Sequence, residues 1–404
     1  MNELAGRLIA HVVDADQGPA ARWRPLLQAA SHVGLQSVVL SSAGSSADSS
    51  SVLSSAGSSA EEWAAEGVAH VALSGTEASK RRSVDLVRLL RRLRPDIVHI
   101  HARRSGLVDR FAARAASVPG IVHTTRGLSD RAGATTWCRV MTAGVERLAI
   151  ACSHLELVEH PFDLAALVRL RAPADRLVLI GTGVDLDRFR PRRTSADIAV
   201  ARSLLGVDPG AVVVAVAGLD GETSGHADLM AVTERLAVMH PEVIFVVMDD
   251  AETATEPDQT VVGTAAPPGV HATGAALIDT KNTVHAGRSE HREMLHAGYD
   301  FVLIPDAGKR LSRSVMEAVA SGLAVIAADS SAARRAVDDG GNGVVIPPRD
   351  IEAMIAAVVA LARDPARRGM LGARSRARAE AAFDEQAVFA SMLAAYRRLP
   401  AVAP

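Results

Sequence analysis

A chain of 404 residues exceeds one ordinary hydrophobic core and fits two domains of roughly 150 to 200 residues each. Its 48% hydrophobic and 22% charged residues exclude a disordered or fibrous chain, and its formal net charge of −2 gives no global field for a nucleic-acid partner. Two cysteines, Cys138 and Cys152, exclude a disulfide framework and a four-ligand zinc site.

The opening MNELAGRLIAHVVDAD lacks the basic start and long apolar run of a secretory signal, and no stretch reaches about 18 uninterrupted apolar residues. A cytoplasmic protein is expected, touching a membrane only peripherally, on its inner face. RLIAHVV at 7–13 is the first predicted strand, and LQSVVLSS at 35–42 the second. LSSAGSSA at 40–47 then recurs letter for letter at 53–60, and this density of serine, glycine and alanine predicts a mobile loop over 41–60. SKRRSVDLVRLLRRLRP at 79–95 sets aliphatic residues at helical spacing against Arg81, Arg82, Arg88, Arg91, Arg92 and Arg94. The segment predicts an amphipathic helix whose cationic outer face is either simply solvated or rests on anionic lipid or a phosphorylated acceptor.

Further strands are predicted at DIVHIH (96–101), GIVHTT (120–125), RLAIACS (147–153) and RLVLIG (176–181). The rhythm stops at RFRPRRTSAD (188–197) and resumes with AVVVAVAG (211–218), VIFVVMD (243–249), FVLIPD (301–306), LAVIAAD (323–329) and GVVIPP (343–348). Short apolar runs alternating with helical segments predict an α/β chain with parallel sheets covered on both faces. Two such series predict two doubly wound domains, each binding ligands at the carboxyl ends of its strands.

Eight segments in order carry a resemblance: LRRLRPDIVHIH, IVHTTRG, LAIACS, LVLIGTGVDLDRFRP, VVVAVAGLDGETSGHADLM, HAGYDFVLIPD, SVMEAVASGLAVIAAD and DDGGNGVVIPPRD. In sequence and spacing the chain resembles the retaining glycosyltransferases of family four, which have the GT-B fold. The resemblance covers nearly the whole chain, and IGTGVDLDRFRP and MEAVASGLAVIAAD are its most specific pieces. It implies an acceptor-side Rossmann-like domain at 1–190 and a nucleotide-sugar-side domain at 191–380, facing each other across a cleft. A C-terminal helix at 381–404 would pack back on the first domain through Phe383, Phe389, Met392 and Tyr396.

The resemblance also implies a nucleotide sugar as donor and a glycan, lipid-linked or small-molecule acceptor, with transfer by retention and neither metal nor other cofactor. The diphosphate is then neutralised by side-chain cations and helix N-termini. Glu317 matches the carboxylate that accepts hydrogen bonds from the ribose hydroxyls. Gly218, Ser224 and Gly225 fall in the donor turn, Arg310, Leu311 and Ser312 precede the helix of Glu317, and Gly287 and Arg288 form a further candidate phosphate contact. Gly18 in DADQGPAARW matches the N-terminal loop, while Lys309, His123 and Arg126 fall nearest the reacting sugar as the candidate catalytic side chains.

Several positions depart from the family pattern. Leu219 and Ser224 stand where the family has an arginine and a lysine, Lys309 where it has a glutamate, Arg310 where glycine is usual, and Arg335 where a glutamate is frequent. In one reading Lys309 and Arg310 take over the diphosphate, and the protein is an active, divergent transferase. The alternative is a catalytically inactive homologue, a binding or scaffolding subunit beside an active glycosyltransferase. His99 and His101 share one face of a strand, but with no third ligand near them in sequence no metal site is expected.

Overall fold

The computed structural model describes residues 3–13, 24–42, 68–73, 80–101, 106–125, 136–192, 194–219, 224–248, 281–286, 292–305 and 311–400. The chain divides into two compact units, Met1–Thr182 with Gln386–Pro404, and Gly183–Glu385.

The first unit is a parallel sheet of seven strands in the order β3-β2-β1-β4-β5-β6-β7. Its strands are β1 (Leu8–Val13), β2 (Gln36–Ser42), β3 (Ala69–Leu73), β4 (Ile97–Ile100), β5 (Gly120–Thr125), β6 (Leu155–Val158) and β7 (Leu177–Leu179). β1 pairs with both β2 and β4, so the strand order reverses beside it, the place where doubly wound sheets open a ligand crevice. Strand alternation sorts the aliphatic side chains onto two faces. Ala10, Val12, Val98 and Ile100 face Leu86 and Leu90, whereas Ile9, Val13, Ile97 and Val122 face Leu26, Leu27, Leu393 and Tyr396.

The second unit repeats the plan with six parallel strands in the order β10-β9-β8-β11-β12-β13. These are β8 (Val212–Val216), β9 (Val243–Val247), β10 (Thr283–His285), β11 (Phe301–Ile304), β12 (Ala324–Ala328) and β13 (Gly343–Ile346). β8 lies between β9 and β11 and marks this sheet's switch point. Local chemistry sets the helix starts: Asp350 accepts from the Ala353 amide at 2.9 Å and Asp364 from the Arg367 amide at 2.9 Å, with Pro365 opening the second of these helices.

Three expectations change. Residues 147–153 are not a strand: all but Ser153 form the end of a helix over Thr136–Cys152, and the strand is Leu155–Val158, paired with β5. A short apolar run without alternation suits a buried helix as well as a buried strand. Arg82 does not belong to the cationic outer face of the helix at Lys80–Leu93, because it points inward, fully buried, and pairs through both amino groups with Asp109 at 2.7 and 3.1 Å. Phe383 joins the core of the second unit, while Met392 and Tyr396 of the helix Glu385–Arg397 lie in the core of the first. The serine-rich repeat beyond Ser42 lies outside the described residues. Among the described residues, no helix is long and apolar enough to cross a membrane.

Candidate functional site

In the second unit the chain leaves β8 through Ala217 and Gly218, whose φ of 78° lies in the left-handed region that suits glycine. Leu219 follows and packs against the hydrophobic core, so the position of the family's arginine is filled by an apolar group turned inward. The helix at Ser224–Met239 begins with Ser224 and the buried Gly225. On the neighbouring strand β11 leads through Pro305 towards the helix α9 (Arg313–Ala320). Leu311 packs against the core, and Ser312 caps α9, its hydroxyl accepting from the Val315 amide at 3.4 Å and lying 2.9 Å from the Ser314 hydroxyl.

Glu317 sits one helical turn into α9 and is 2% exposed. Its Oε1 accepts from Arg313 Nε at 3.1 Å, and its Oε2 lies 3.0 Å from Arg292 Nη2. Arg313 and Glu317 are four residues apart on one helix face. Arg292 comes from the short helix Arg292–Leu295, which precedes β11 in the chain. A carboxylate this deep needs such partners, because an unpaired buried charge is costly.

Charged and aromatic groups extend the cluster. Arg188 pairs with Glu293 at 2.8 Å and places its guanidinium 5.4 Å from the centre of the Phe189 ring. Phe189 meets His296 edge-on, and burial together with the Arg292 charge lowers the His296 pKa to about 3, so this imidazole is neutral. Burial raises the Glu385 carboxyl to about 7, with Asp185 and Asp384 adding to the rise and Arg313 and Arg188 opposing it.

In the first unit His123 is buried on β5 at the centre of an ionic network. Its Nδ1 lies 2.9 Å from Glu156 Oε2, Arg110 Nη1 donates to Glu156 Oε1 at 3.0 Å, and Thr125 donates its hydroxyl proton to Oε2 at 2.9 Å. Burial pushes the Glu156 carboxyl up, but Arg110 and His123 outweigh it and bring the group to about 2, so Glu156 is ionised. An ionised carboxylate only accepts, hence His123 Nδ1 carries a proton towards it, and Arg110 Nη2 lies 2.8 and 3.2 Å from the two ring nitrogens.

On the opposite face of this sheet the fold supplies a third histidine to the pair on β4: His11 on β1, in register with His99. Ligand atoms of His11, His99 and His101 lie within 4.8 Å of one another, and burial keeps His11 neutral with a pKa of about 4. Hydrogen bonds reach these rings from within the protein, while His11 Nε2 is buried with no hydrogen-bond partner among the described residues. His99 Nδ1 meets the Tyr396 hydroxyl and its Nε2 the Thr124 hydroxyl, each at 2.7 Å, and His11 Nδ1 meets His101 Nε2 at 3.1 Å. The expectation that the pair has no third candidate ligand is thus corrected by the fold, which brings His11 beside it.

Of the residues singled out in the sequence, the structure places Gly218, Leu311, Ser312 and Glu317 in the second unit around the ends of β8 and β11, with Ser224 and Gly225 opening the helix that follows β8. His123 stands in the first unit, enclosed. Lys309, Arg310, Arg126, Gly287, Arg288 and Gly18 lie outside the described residues. The sequence reading overlooked Arg292, Arg313, Arg110 and Glu156. Only the Arg313–Glu317 pair carried a local signal, its spacing of four residues on one helix; the others meet through the fold.

A family model described as glycosyltransferase family 4 matches residues 34–188, and one described as glycosyl transferases group 1 matches residues 211–364. The chain is 24% identical over 295 residues to a UDP-Gal:alpha-D-GlcNAc-diphosphoundecaprenol alpha-1,3-galactosyltransferase of Escherichia coli, covering 70% of each chain. It is 30% identical over 317 residues to a D-inositol 3-phosphate glycosyltransferase of Geodermatophilus obscurus, covering 74% of this chain and 66% of the relative. The match therefore spans about two thirds of the length of these curated relatives. Among solved structures, Anabaena HepE in complex with UDP and glucose superposes with a TM-score of 0.71 at 15% identity, over 97% of this chain and all of that one. The relatives are named for transfer reactions, and nothing in them supports the alternative of a non-catalytic subunit.

Proposed function

Given a chain that belongs to glycosyltransferase family four, with the α/β architecture of the GT-B fold, we propose that it transfers a sugar from a nucleotide-sugar donor to an acceptor with retention. The observation that carries this reading is Glu317, a buried carboxylate at the start of a helix at the switch point of the second sheet, fixed from both sides by guanidinium groups. A carboxylate so placed accepts from both hydroxyls of a ribose, while cations around it meet the diphosphate.

In the reaction the bond between the anomeric carbon and the diphosphate oxygen breaks, and the acceptor oxygen bonds to that carbon on the same face. The acceptor proton passes to the departing diphosphate. The protein stabilises the charge that develops on the leaving group, the largest electrostatic contribution such a site offers. Lys309 and Arg310 are proposed to act there, with no metal ion required. Arg126, the residue after Thr125, is proposed to face the acceptor, and His123 to support the strand that presents it through Glu156 and Arg110.

The acceptor is proposed to be a glycan, a lipid-linked sugar or a small molecule. The exposed arginines Arg88, Arg91, Arg92 and Arg94 of the helix Lys80–Leu93 and its end would favour a lipid-linked one, by resting on an anionic membrane surface on the cytoplasmic side. The deciding experiment incubates purified protein with a panel of UDP-, GDP- and ADP-sugars and follows release of the nucleoside diphosphate. Turnover of at least one donor, reduced at least about 100-fold in Glu317→Ala, is the expected result. No turnover and no calorimetric binding of any donor would overturn the reading.

A further inference from the structure

The inference rests on the donor-binding reading above. The geometry points to Arg313 as the side chain that takes the donor's diphosphate, and to Arg292 as the positioning residue that aims Glu317 at the ribose.

The turn after β8 cannot hold phosphate in the family's way, because Leu219 is apolar and packed into the core. The two guanidinium groups that meet Glu317 differ in what they have left to give. Arg313 donates to Glu317 through its Nε, at 3.1 Å, and its side chain is 26% exposed, so its amino groups remain to donate elsewhere. Arg292 Nη2 lies 3.0 Å from Glu317 Oε2 as an ion pair without hydrogen-bond geometry, and its side chain is more enclosed, at 18% exposure, near the buried His296 and Tyr299.

The place of Arg313 in its helix supplies an independent reason. It is the first residue of α9, immediately after the Ser312 cap. A cation at a helix N-terminus opposes the macrodipole, whereas an anion bound at that same end is favoured by both the dipole and the guanidinium. A carboxylate four residues on fixes the side chain over this first turn. Together these groups form a surface that accepts from hydroxyls on one side and donates to an anion on the other, the combination that a nucleoside diphosphate presents.

Calorimetry on the full-length protein with UDP, GDP and ADP, each beside its nucleoside, tests the assignment. Wild type should bind one diphosphate more tightly than its nucleoside. Arg313→Gln should weaken the diphosphate about 10- to 100-fold and leave the nucleoside unchanged. Arg313→Lys should recover part of the loss, since the charge returns without the fork. Arg292→Gln should weaken diphosphate and nucleoside by the same factor, because it acts through Glu317. Should Arg313→Gln fail to fold by thermal melting, Arg313→Met and Arg313→Lys are read on the same diphosphate-to-nucleoside ratio. An unchanged ratio in the Arg313 variants of a protein that binds diphosphates would overturn the assignment of Arg313 alone. Failure of wild type to bind any of the three diphosphates would remove the donor reading and this inference together.

Discussion

Tyr396 and Gly372 show how single atoms hold the two cores in place. The Tyr396 hydroxyl is buried against His99 Nδ1 at 2.7 Å, and burial holds the phenol well above its usual pKa, so it is neutral. Tyr396→Phe keeps the ring in the core but leaves a buried ring nitrogen without that partner. The expected loss is about 1–3 kcal/mol, measured by urea denaturation. Gly372 lies on the helix Pro365–Ala382, where an added Cβ would run into the carbonyl oxygen of Gly322. That oxygen belongs to backbone held by its own φ of 72°, so it cannot step aside cheaply. Gly372→Ala is expected to cost about 2–3 kcal/mol in the same assay, and a value near zero would show that the helix slides instead. At this scale Glu317 was legible from its place in a recognisable segment, whereas Arg313 was overlooked although it stands four residues away on the same helix. Arg292 was not legible, because it reaches Glu317 from a separate short helix that no periodicity relates to α9. His11 was hidden for the same reason, since strand register sets it opposite His99.

Between elements, the helices Lys80–Leu93 and Leu107–Ala115 dock through a buried ion pair as well as through Leu86, Leu90, Ala112 and Ala113. A guanidinium in the core needs partners, and Asp109 gives Arg82 two hydrogen bonds. Asp109→Ala removes the carboxylate from a buried guanidinium and is expected to cost about 3–5 kcal/mol. The double variant Arg82→Met, Asp109→Leu removes both charges and should recover most of the loss; equal instability of the two variants in denaturant titrations would mean that packing, not charge, holds the helices. The pair also explains what the sequence could not tell about this helix. Six arginines at helical spacing read as one cationic face, but a charge pattern cannot reveal a carboxylate waiting on the next element. The misplaced strand at 147–153 has a similar origin, because periodicity over so short a run does not separate a buried strand from the end of a buried helix. The longer alternation of strands and helices carried the architecture of both sheets, and it was readable because parallel sheets covered on both faces demand continuous apolar runs.

At the scale of the whole chain, the polypeptide passes between the two units at residues 182–183 and again at 385–386. Within the second unit the segments next to these crossings are bonded side by side: the Val184 amide donates to the Phe383 carbonyl at 2.8 Å and the Glu385 amide to the Val184 carbonyl at 3.3 Å. A Cβ on Gly183 would run into the Glu385 backbone, so the close approach requires glycine there. Glu385 is the titratable group at this junction, its carboxyl raised to about 7 from an ordinary 4.5 by burial and by Asp185 and Asp384. The folded state then holds the proton more tightly than the unfolded chain does, so the group stabilises the fold fully below about pH 4.5. That contribution is lost as pH rises through 7, over the window set by the two values. Glu385→Gln keeps the shape and removes the titration. It should melt above wild type at pH 8 by a few degrees, corresponding to about 1–2 kcal/mol once partial solvent screening is allowed for, and should lose that advantage near pH 5. Thermal melts across pH 5 to 8.5 check this by the difference between the two proteins, which cancels the titrating groups remote from Glu385. A difference that stays constant with pH would show that Glu385 ionises alike in the folded and unfolded chain, and that the bonded junction at Val184 and Phe383 excludes less water than its burial implies.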